Sequence, residues 1–138
     1  MEKDIERFYE LRAAKYSCSQ VMVEMALEAT EQENEQLVQA MAGLRGGCMN
    51  GLLCGAFSGA CCAIAMLCPE DMNEMQAQLK EWFAEHNGRN GSLDCDVIIM
   101  GDAANKPLIC PKVIESTYRE MKELLEDAGV DMSSHWEE

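Results

Sequence analysis

Eighteen consecutive residues near the middle of the chain, 51–68, carry no charge, and this segment limits how the chain can fold. As an α-helix it would be about 27 Å long, which is close to the lower limit for crossing a bilayer. Its residues are mostly Gly, Ala, Ser and Cys, which favour membrane insertion only weakly. We therefore expect a buried central helix in a soluble bundle, with a membrane span as the less favoured alternative.

Small residues recur every four positions along this segment. Gly51, Gly55, Gly59 and Ala63 would form a smooth ridge on one helix face. Such a ridge lets a neighbouring backbone approach closely, in water as in membranes. The ridge and the apolar helix would also suit a homodimer.

Apolar residues at helical spacing predict the remaining helices, and no alternating pattern typical of strands is present. We expect a first helix ending near residue 16 and a second over about 18–29, where Ser17 and Gln20 form a capping box. Further helices are expected near 37–44, 72–83 and 92–101, and from Pro111 to residue 128, with an extended loop over residues 102–109 between the last two. The chain is therefore predicted to be all-α, a single-domain bundle of about five to six helices around the central Gly/Ala/Cys-rich helix. This domain spans residues 1–138, with a polar C-terminal tail from about residue 129.

Charge limits the partners that the chain can bind. It has 25 acidic and 11 basic residues, a formal net charge of -14. Nucleic acids and anionic membrane surfaces would repel such a protein, so we expect it to bind neither. A preference for basic partners is expected instead.

Eight cysteines are many for a chain of this length. The chain opens on charged residues, without the apolar segment of a secretory signal, which predicts a cytoplasmic protein. Disulfides are rare in that reducing compartment, so numerous cysteines there indicate metal, iron–sulfur or thiol chemistry. The alternative is packing, because a free cysteine behaves as a small buried hydrophobe.

Four of the eight occupy predicted helix N-termini: Cys18, Cys54, Cys95 and Cys110. Asn50 is the predicted cap of the helix that holds Cys54, and Ser92 is the predicted cap of the helix that holds Cys95. Pro111 is a natural first helical residue, which would make Cys110 an N-cap. The positive end of a helix favours negative charge, which predicts a lowered thiol pKa.

The other four cysteines lack that position: Cys48 in a glycine-rich loop, and Cys61, Cys62 and Cys68 on the central helix. They are predicted to pack or to have auxiliary roles, although Cys54, Cys61 and Cys68 also share one helix face and could form a cysteine-lined seam. No pair has C-x-x-C spacing. Any site must therefore be assembled from different helices.

A specific pattern surrounds the four helix-start cysteines. Cys54 opens the motif Cys-Gly-Ala-Phe-Ser-Gly over residues 54–59, Cys18 opens Cys-Ser-Gln, Cys95 closes Gly-Ser-Leu-Asp-Cys, and Cys110 follows. From about residue 15 to 127, this order resembles the redox-active protein family that is named for its C_GCAxxG_C_C pattern. That family is also similar to the cysteine-bearing part of split-Soret cytochromes, which would imply an iron–sulfur cluster. This chain has features of its own. It departs from the pattern by carrying four extra cysteines, and it has no C-x-x-C-H motif for haem attachment.

The resemblance implies a redox-active protein, either an oxidoreductase or an electron carrier, whose redox partner the sequence does not identify. Its catalytic and cofactor-binding residues would be Cys18, Cys54, Cys95 and Cys110. These four would hold an iron–sulfur cluster, or cycle between dithiol and disulfide. The alternatives are zinc held as a structural metal by the same four cysteines, or a helical interaction protein with inert thiols and no cofactor. His86 and His135 lie in polar settings and are expected at the surface.

Overall fold

A computed structural model describes residues 2–137 as a bundle of α-helices. No strand is present in this range, so the all-α prediction is confirmed. Two short 3-10 turns, Ala42–Leu44 and Ala103–Asn105, connect longer elements of the chain. The helices are α1 (Lys3–Ala13), α2 (Cys18–Ala29), α3 (Glu35–Met41), α4 (Gly55–Leu67), α5 (Met72–His86), α6 (Cys95–Ile98), α7 (Lys106–Asp127) and α8 (Ser134–Glu137).

The uncharged segment forms the central helix, as predicted. α4 contacts α2, α5 and α7, and its Ala56, Ala60, Ala63 and Ile64 are fully buried. The helix begins at Gly55, four residues later than the uncharged segment does. Between residues 2 and 137, no helix is both long enough and apolar enough to cross a membrane.

Two glycines of the predicted ridge allow α2 to lie directly on α4. A Cβ atom at Gly59 would lie 2.7 Å from the carbonyl oxygen of Ser19, and one at Gly55 would lie 2.5 Å from the sulfur of Cys18. No side chain fits at either position without moving its neighbour. The close approach is therefore made within one chain, and Gly51 lies outside the helix, in the preceding turn.

The start of α2 is fixed by the predicted capping box. The Gln20 N–H donates to Ser17 Oγ at 3.3 Å, and the Ser17 N–H donates to Gln20 Oε1 at 3.0 Å. α2 consequently begins at Cys18. Its second residue, Ser19, is anchored by donating to the carbonyl oxygen of Met41 at 2.6 Å.

Replacing Ser17 with alanine tests this cap. The variant loses the acceptor for the Gln20 N–H, and we expect the free energy of unfolding to fall by about 1 kcal/mol. Urea unfolding followed by circular dichroism measures this. Ser17→Thr keeps the hydroxyl and should retain most of the stability, so an equal loss in both variants would rule out capping as the cause.

The start of α7 differs from the prediction. The helix begins at Lys106, so Pro111 lies inside it and Cys110 lies in its second turn rather than at an N-cap. Pro107 occupies the opening turn, where a missing N–H costs nothing, and the preceding 3-10 turn leads into it. A proline at position 111 then removes a single hydrogen bond near the helix start. Packing of the long apolar face that follows outweighs that loss, and the expected extended loop becomes helical.

The C-terminal segment packs on the bundle, with Val130 and Trp136 partly buried against the core. Met132 is fully buried in the core, although the residues around it are mostly polar. The short helix α8 lies beyond it and contacts α1 and α2.

Candidate functional site

A short antiparallel pairing of two extended segments brings Cys54 and Cys95 together. The Cys54 N–H donates to the carbonyl oxygen of Leu93 at 2.9 Å, and the Cys95 N–H donates to that of Leu52 at 2.6 Å. The residues between them, Leu53 and Asp94, pair directly. Two cysteines that are 41 positions apart in sequence are therefore held on one short pairing, where each lies opposite a leucine and diagonally across from the other.

The pairing also changes which residues cap the helices. Cys54 is itself the N-cap of α4, and Asp94 is the N-cap of α6. The predicted caps have other roles: Asn50 donates its side-chain amide to the carbonyl of Cys48, and Ser92 Oγ accepts from the Asp94 N–H. The predictions for Asn50 and Ser92 were therefore wrong, because the extended segments delay both helices until after the pairing.

Cys18 lies against the start of α4. Its sulfur lies 2.5 Å from the point that a Cβ atom on Gly55 would occupy, and Gly55 directly follows Cys54. Because Cys18 opens α2, the capping box at Ser17 and the close packing of α2 on α4 together determine where this sulfur lies. Gly55 therefore has a specific role, which is to leave room for the Cys18 thiol.

Cys110 joins the other three from α7. Charges on Cys95 and Cys18 would raise the pKa of the Cys110 thiol, and charges on Cys18 and Cys95 would raise that of Cys54. A charge on Cys18 would likewise raise the pKa of Cys95. The four predicted site cysteines thus lie close together. Cys18 and Cys95 each interact both with Cys54 and with Cys110.

Burial raises the pKa values of three of these thiols, those of Cys54, Cys95 and Cys110. It raises the pKa of Cys54 to about 12, although the backbone N–H groups of Phe57 and Ala56 act to lower it. Burial also raises the pKa values of Cys95 and Cys110 above their usual value. The lowered thiol pKa values expected at helix N-termini are therefore wrong for these three, because loss of solvation disfavours the thiolate more than the helix start favours it.

Two cations near the site oppose the effect of burial. Lys106, at the start of α7, lowers the pKa values of both Cys95 and Cys110, and Arg12, in the last turn of α1, lowers that of Cys110. Sequence analysis missed both residues. Lys106 lay in a segment expected to be an extended loop, and no motif connects Arg12 to a cysteine.

A left-handed turn holds α6 in place beside the site. Gly46, Gly47, Cys48 and Met49 have consecutive positive φ angles of 57–63°, a conformation that side chains disfavour. A Cβ atom at Gly47 would collide with the backbone of Leu52. The Asp96 carboxylate of α6 lies directly against Gly51 at the end of this turn. The glycine-rich connection recognised in the sequence therefore supports the segment that carries Cys95.

The remaining four cysteines differ from the site cysteines in their surroundings. Cys48 is exposed in the left-handed turn, whereas Cys68 is buried in the core, and Cys61 and Cys62 pack partly against it. Burial raises the pKa of Cys61 to about 12. Core contacts support the packing role predicted for these three residues of α4 and its C-cap.

Within residues 2–137, neither the four site cysteines nor other potential ligands are grouped for a single metal ion. Over residues 2–137, no three Cys, His, Asp or Glu side chains are placed together so that they could hold one. All eight cysteines are free thiols in this conformation. Both His86 and His135 are exposed, as expected.

The comparisons with known proteins identify one family. A family model described as "putative redox-active protein (C_GCAxxG_C_C)" matches residues 16–124, which include Cys18, Cys54, Cys95 and Cys110. Curated proteins and solved structures gave no match. The family name writes Gly-Cys-Ala, whereas this chain has Cys54-Gly55-Ala56. Position 55 has no room for a side chain, and the cysteine stands one residue earlier, at the helix cap.

Proposed function

The chain belongs to the C_GCAxxG_C_C family of redox-active proteins, and from that premise we propose that it transfers electrons through a centre built on Cys18, Cys54, Cys95 and Cys110. One observation carries this proposal. Four thiols from four separate segments lie close together near the starts of α2, α4, α6 and α7, where charges on Cys18 and Cys95 would each act on the thiols of both Cys54 and Cys110. The chain would serve as an electron carrier or as an oxidoreductase.

We favour an iron–sulfur cluster as the electron-carrying group, and the donor set fits it. Four cysteine thiolates are the usual ligands of such a cluster, which supplies one-electron transfer when bound. Cys95 is buried and the other three cysteines are partly buried, and Lys106 and Arg12 would offset the negative charge of ligated thiolates. Metal binding removes the thiol protons, so raised pKa values in the free protein do not prevent ligation.

The spacing required by a cluster differs from that required by one ion. Four sulfurs around a single zinc lie about 3.8 Å apart, given Zn–S bonds of about 2.3 Å. In a four-iron cluster each cysteine would bind a different iron, so the four cysteine sulfurs would be farther apart. Among residues 2–137, no three ligands are grouped closely enough to hold one metal ion. This finding concerns the close spacing of a zinc site and not the wider spacing of a cluster.

A dithiol–disulfide couple is the second candidate, supported by the adjacency of Cys18 and Cys54 across Gly55. Two thiols would lose two protons and two electrons as one S–S bond forms. The thiolate is the attacking form, so the raised pKa values of Cys54, Cys95 and Cys110 make them slow nucleophiles. This is why we place the couple second.

Anaerobic purification followed by iron and acid-labile sulfide analysis tests the proposal. We expect a brown protein with about two or four irons per chain and as much sulfide. Replacing any one of Cys18, Cys54, Cys95 and Cys110 with serine should remove most of the iron. Cys62→Ser is the matched control, because Cys62 is a partly buried cysteine of α4 outside the site, and it should keep the wild-type iron content.

Three results would contradict the cluster. Stoichiometric zinc without iron would indicate a structural metal site. A metal-free protein that loses two titratable thiols on oxidation would indicate the dithiol–disulfide couple. Equal loss of iron in Cys62→Ser and in the four site variants would show that the ligand assignment is wrong.

A further inference from the structure

Large apolar side chains are exposed around the four-cysteine site and almost nowhere else. Of the seven that are exposed within residues 2–137, six lie on the segments that carry or adjoin Cys54, Cys95 and Cys110. Leu108 is 79% exposed and Met49 is 63% exposed. We call these six residues the apolar patch: Met49, Leu52, Leu53, Val97, Met100 and Leu108.

Contacts between the segments bring one side of the patch together. A Cβ atom on Gly46 would lie 3.1 Å from Met49 Sδ and 3.7 Å from Lys106 Nζ, so Met49 lies near the ammonium group of Lys106, the first residue of α7. Leu108 is two residues further along that helix. The Asn105 side-chain amide donates to the carbonyl of Ile99 at 2.9 Å, which places the next residue, Met100, near the same helix start.

The backbone pairing that positions the cysteines completes the other side. Leu53 pairs with Asp94, immediately before the helix that carries Val97. Leu52 accepts the Cys95 N–H through its carbonyl group and lies on the face of the pairing that carries the two cysteines, whereas Leu53 lies on the opposite face. The patch therefore adjoins the cysteines on the segments that present them.

The patch is maintained at a cost. Cys48 and Met49 adopt left-handed backbone angles, and Met49 is nevertheless held in solvent. Soluble proteins seldom expose several large apolar residues together unless that surface binds something.

Charge indicates what kind of molecule covers it. Asp94, Asp96 and Asp102 are exposed on the same segments, alongside the basic residues Arg45 and Lys106, and the whole chain carries a net charge of -14. This field attracts a basic protein and repels a second copy of the chain. A redox partner must also come close to the centre, and the patch is the surface beside it.

We propose that the apolar patch docks a basic redox-partner protein, which would exchange one electron at a time with the iron–sulfur cluster proposed for the four-cysteine centre. This rests on the proposed function, because the partner receives or supplies the electron carried there. The apolar side chains provide the contact, and the surrounding carboxylates steer the partner's positive charges towards it.

Cytochrome c, a small basic haem protein, is a suitable probe. Calorimetric titration at low ionic strength should show about tenfold weaker binding for the double variant Met100→Gln/Leu108→Gln than for the wild type. The net charge is unchanged, so this loss would not come from long-range attraction. Tyr9→Gln is the matched control, because Tyr9 is the exposed large apolar residue outside the patch, and its affinity should equal that of the wild type.

Electron transfer provides the second measurement. The protein is reduced with dithionite, freed of excess reductant and mixed with ferricytochrome c or with ferricyanide in a stopped-flow instrument. In the step measured, one electron leaves the centre and reduces one ferric haem or one ferricyanide. The double variant should reduce ferricytochrome c about tenfold more slowly at low protein concentration and ferricyanide at the wild-type rate.

The two measurements separate the two proposals. Unchanged affinity in the double variant overturns the docking surface, even where ferricyanide is reduced normally. A wild-type dimer in sedimentation that the double variant converts to a monomer also overturns it, because a second copy then covers the patch. Failure of the wild-type protein to reduce ferricyanide overturns the proposed function, whatever the binding shows.

Discussion

Replacing Gly59 with alanine is expected to destabilise the protein by about 2–3 kcal/mol, although alanine favours helices over glycine by about 1 kcal/mol. The added methyl group would lie 2.7 Å from the carbonyl oxygen of Ser19 and 2.8 Å from its Cα. These are backbone atoms of α2, so α2 as a whole must move away from α4. The opening residue of α2 is Cys18, and its sulfur should shift with the helix.

Urea unfolding of the metal-free protein measures the stability, and iron content measures the site. Gly43→Ala is the matched control, because a Cβ atom there meets nothing within 4 Å. That variant should stay within about 0.5 kcal/mol of the wild type. Equal stability of Gly59→Ala and Gly43→Ala would contradict the close packing of α2 on α4.

Local signals in the sequence were sufficient for the scaffold. The capping box at Ser17 and Gln20 involves neighbours three residues apart, so it determines the start of α2 before any tertiary contact forms. The uncharged segment identified α4 as central, because a helix with no polar face must be covered on all sides. Convergence of Cys18, Cys54, Cys95 and Cys110 was expected from the family resemblance rather than from spacing.

Features that depend on tertiary contacts were not predictable. Both Pro107 and Pro111 are compatible with a helix start, and local sequence does not choose between them. The pairing of Leu53 with Asp94 is a single bridge without an alternating pattern, so the sequence gives no sign of it. The direction of the thiol pKa shifts depends on burial, which is known only once the helices are packed.

A buried ion pair between the first and last long helices should account for the largest single charge effect on stability. Asp4 of α1 is 4% exposed, and it accepts hydrogen bonds from Tyr118 Oη and Lys122 Nζ of α7, each at 2.8 Å. Burial acts to raise the pKa of Asp4, but these two hydrogen bonds hold it below its usual value. Lys122→Met should cost about 3 kcal/mol at pH 7, because it leaves a buried carboxylate without its cation.

The pH dependence of this cost gives a sharper test than its size. In the wild type, the pKa of Asp4 is lower in the folded state than in the unfolded state. The stability that Asp4 contributes is therefore complete above about pH 4, and it is lost as the pH falls through the folded-state pKa. Without Lys122, burial is the dominant influence and should raise the folded pKa above the unfolded one. Protonation then relieves the buried charge, and the deficit of Lys122→Met relative to the wild type should shrink as the pH falls from 7 towards 4. Lys112→Met, an exposed lysine of the same helix, should show neither the cost nor the pH dependence. A deficit in Lys122→Met that stays constant over this range would mean that Asp4 is not held charged by Lys122.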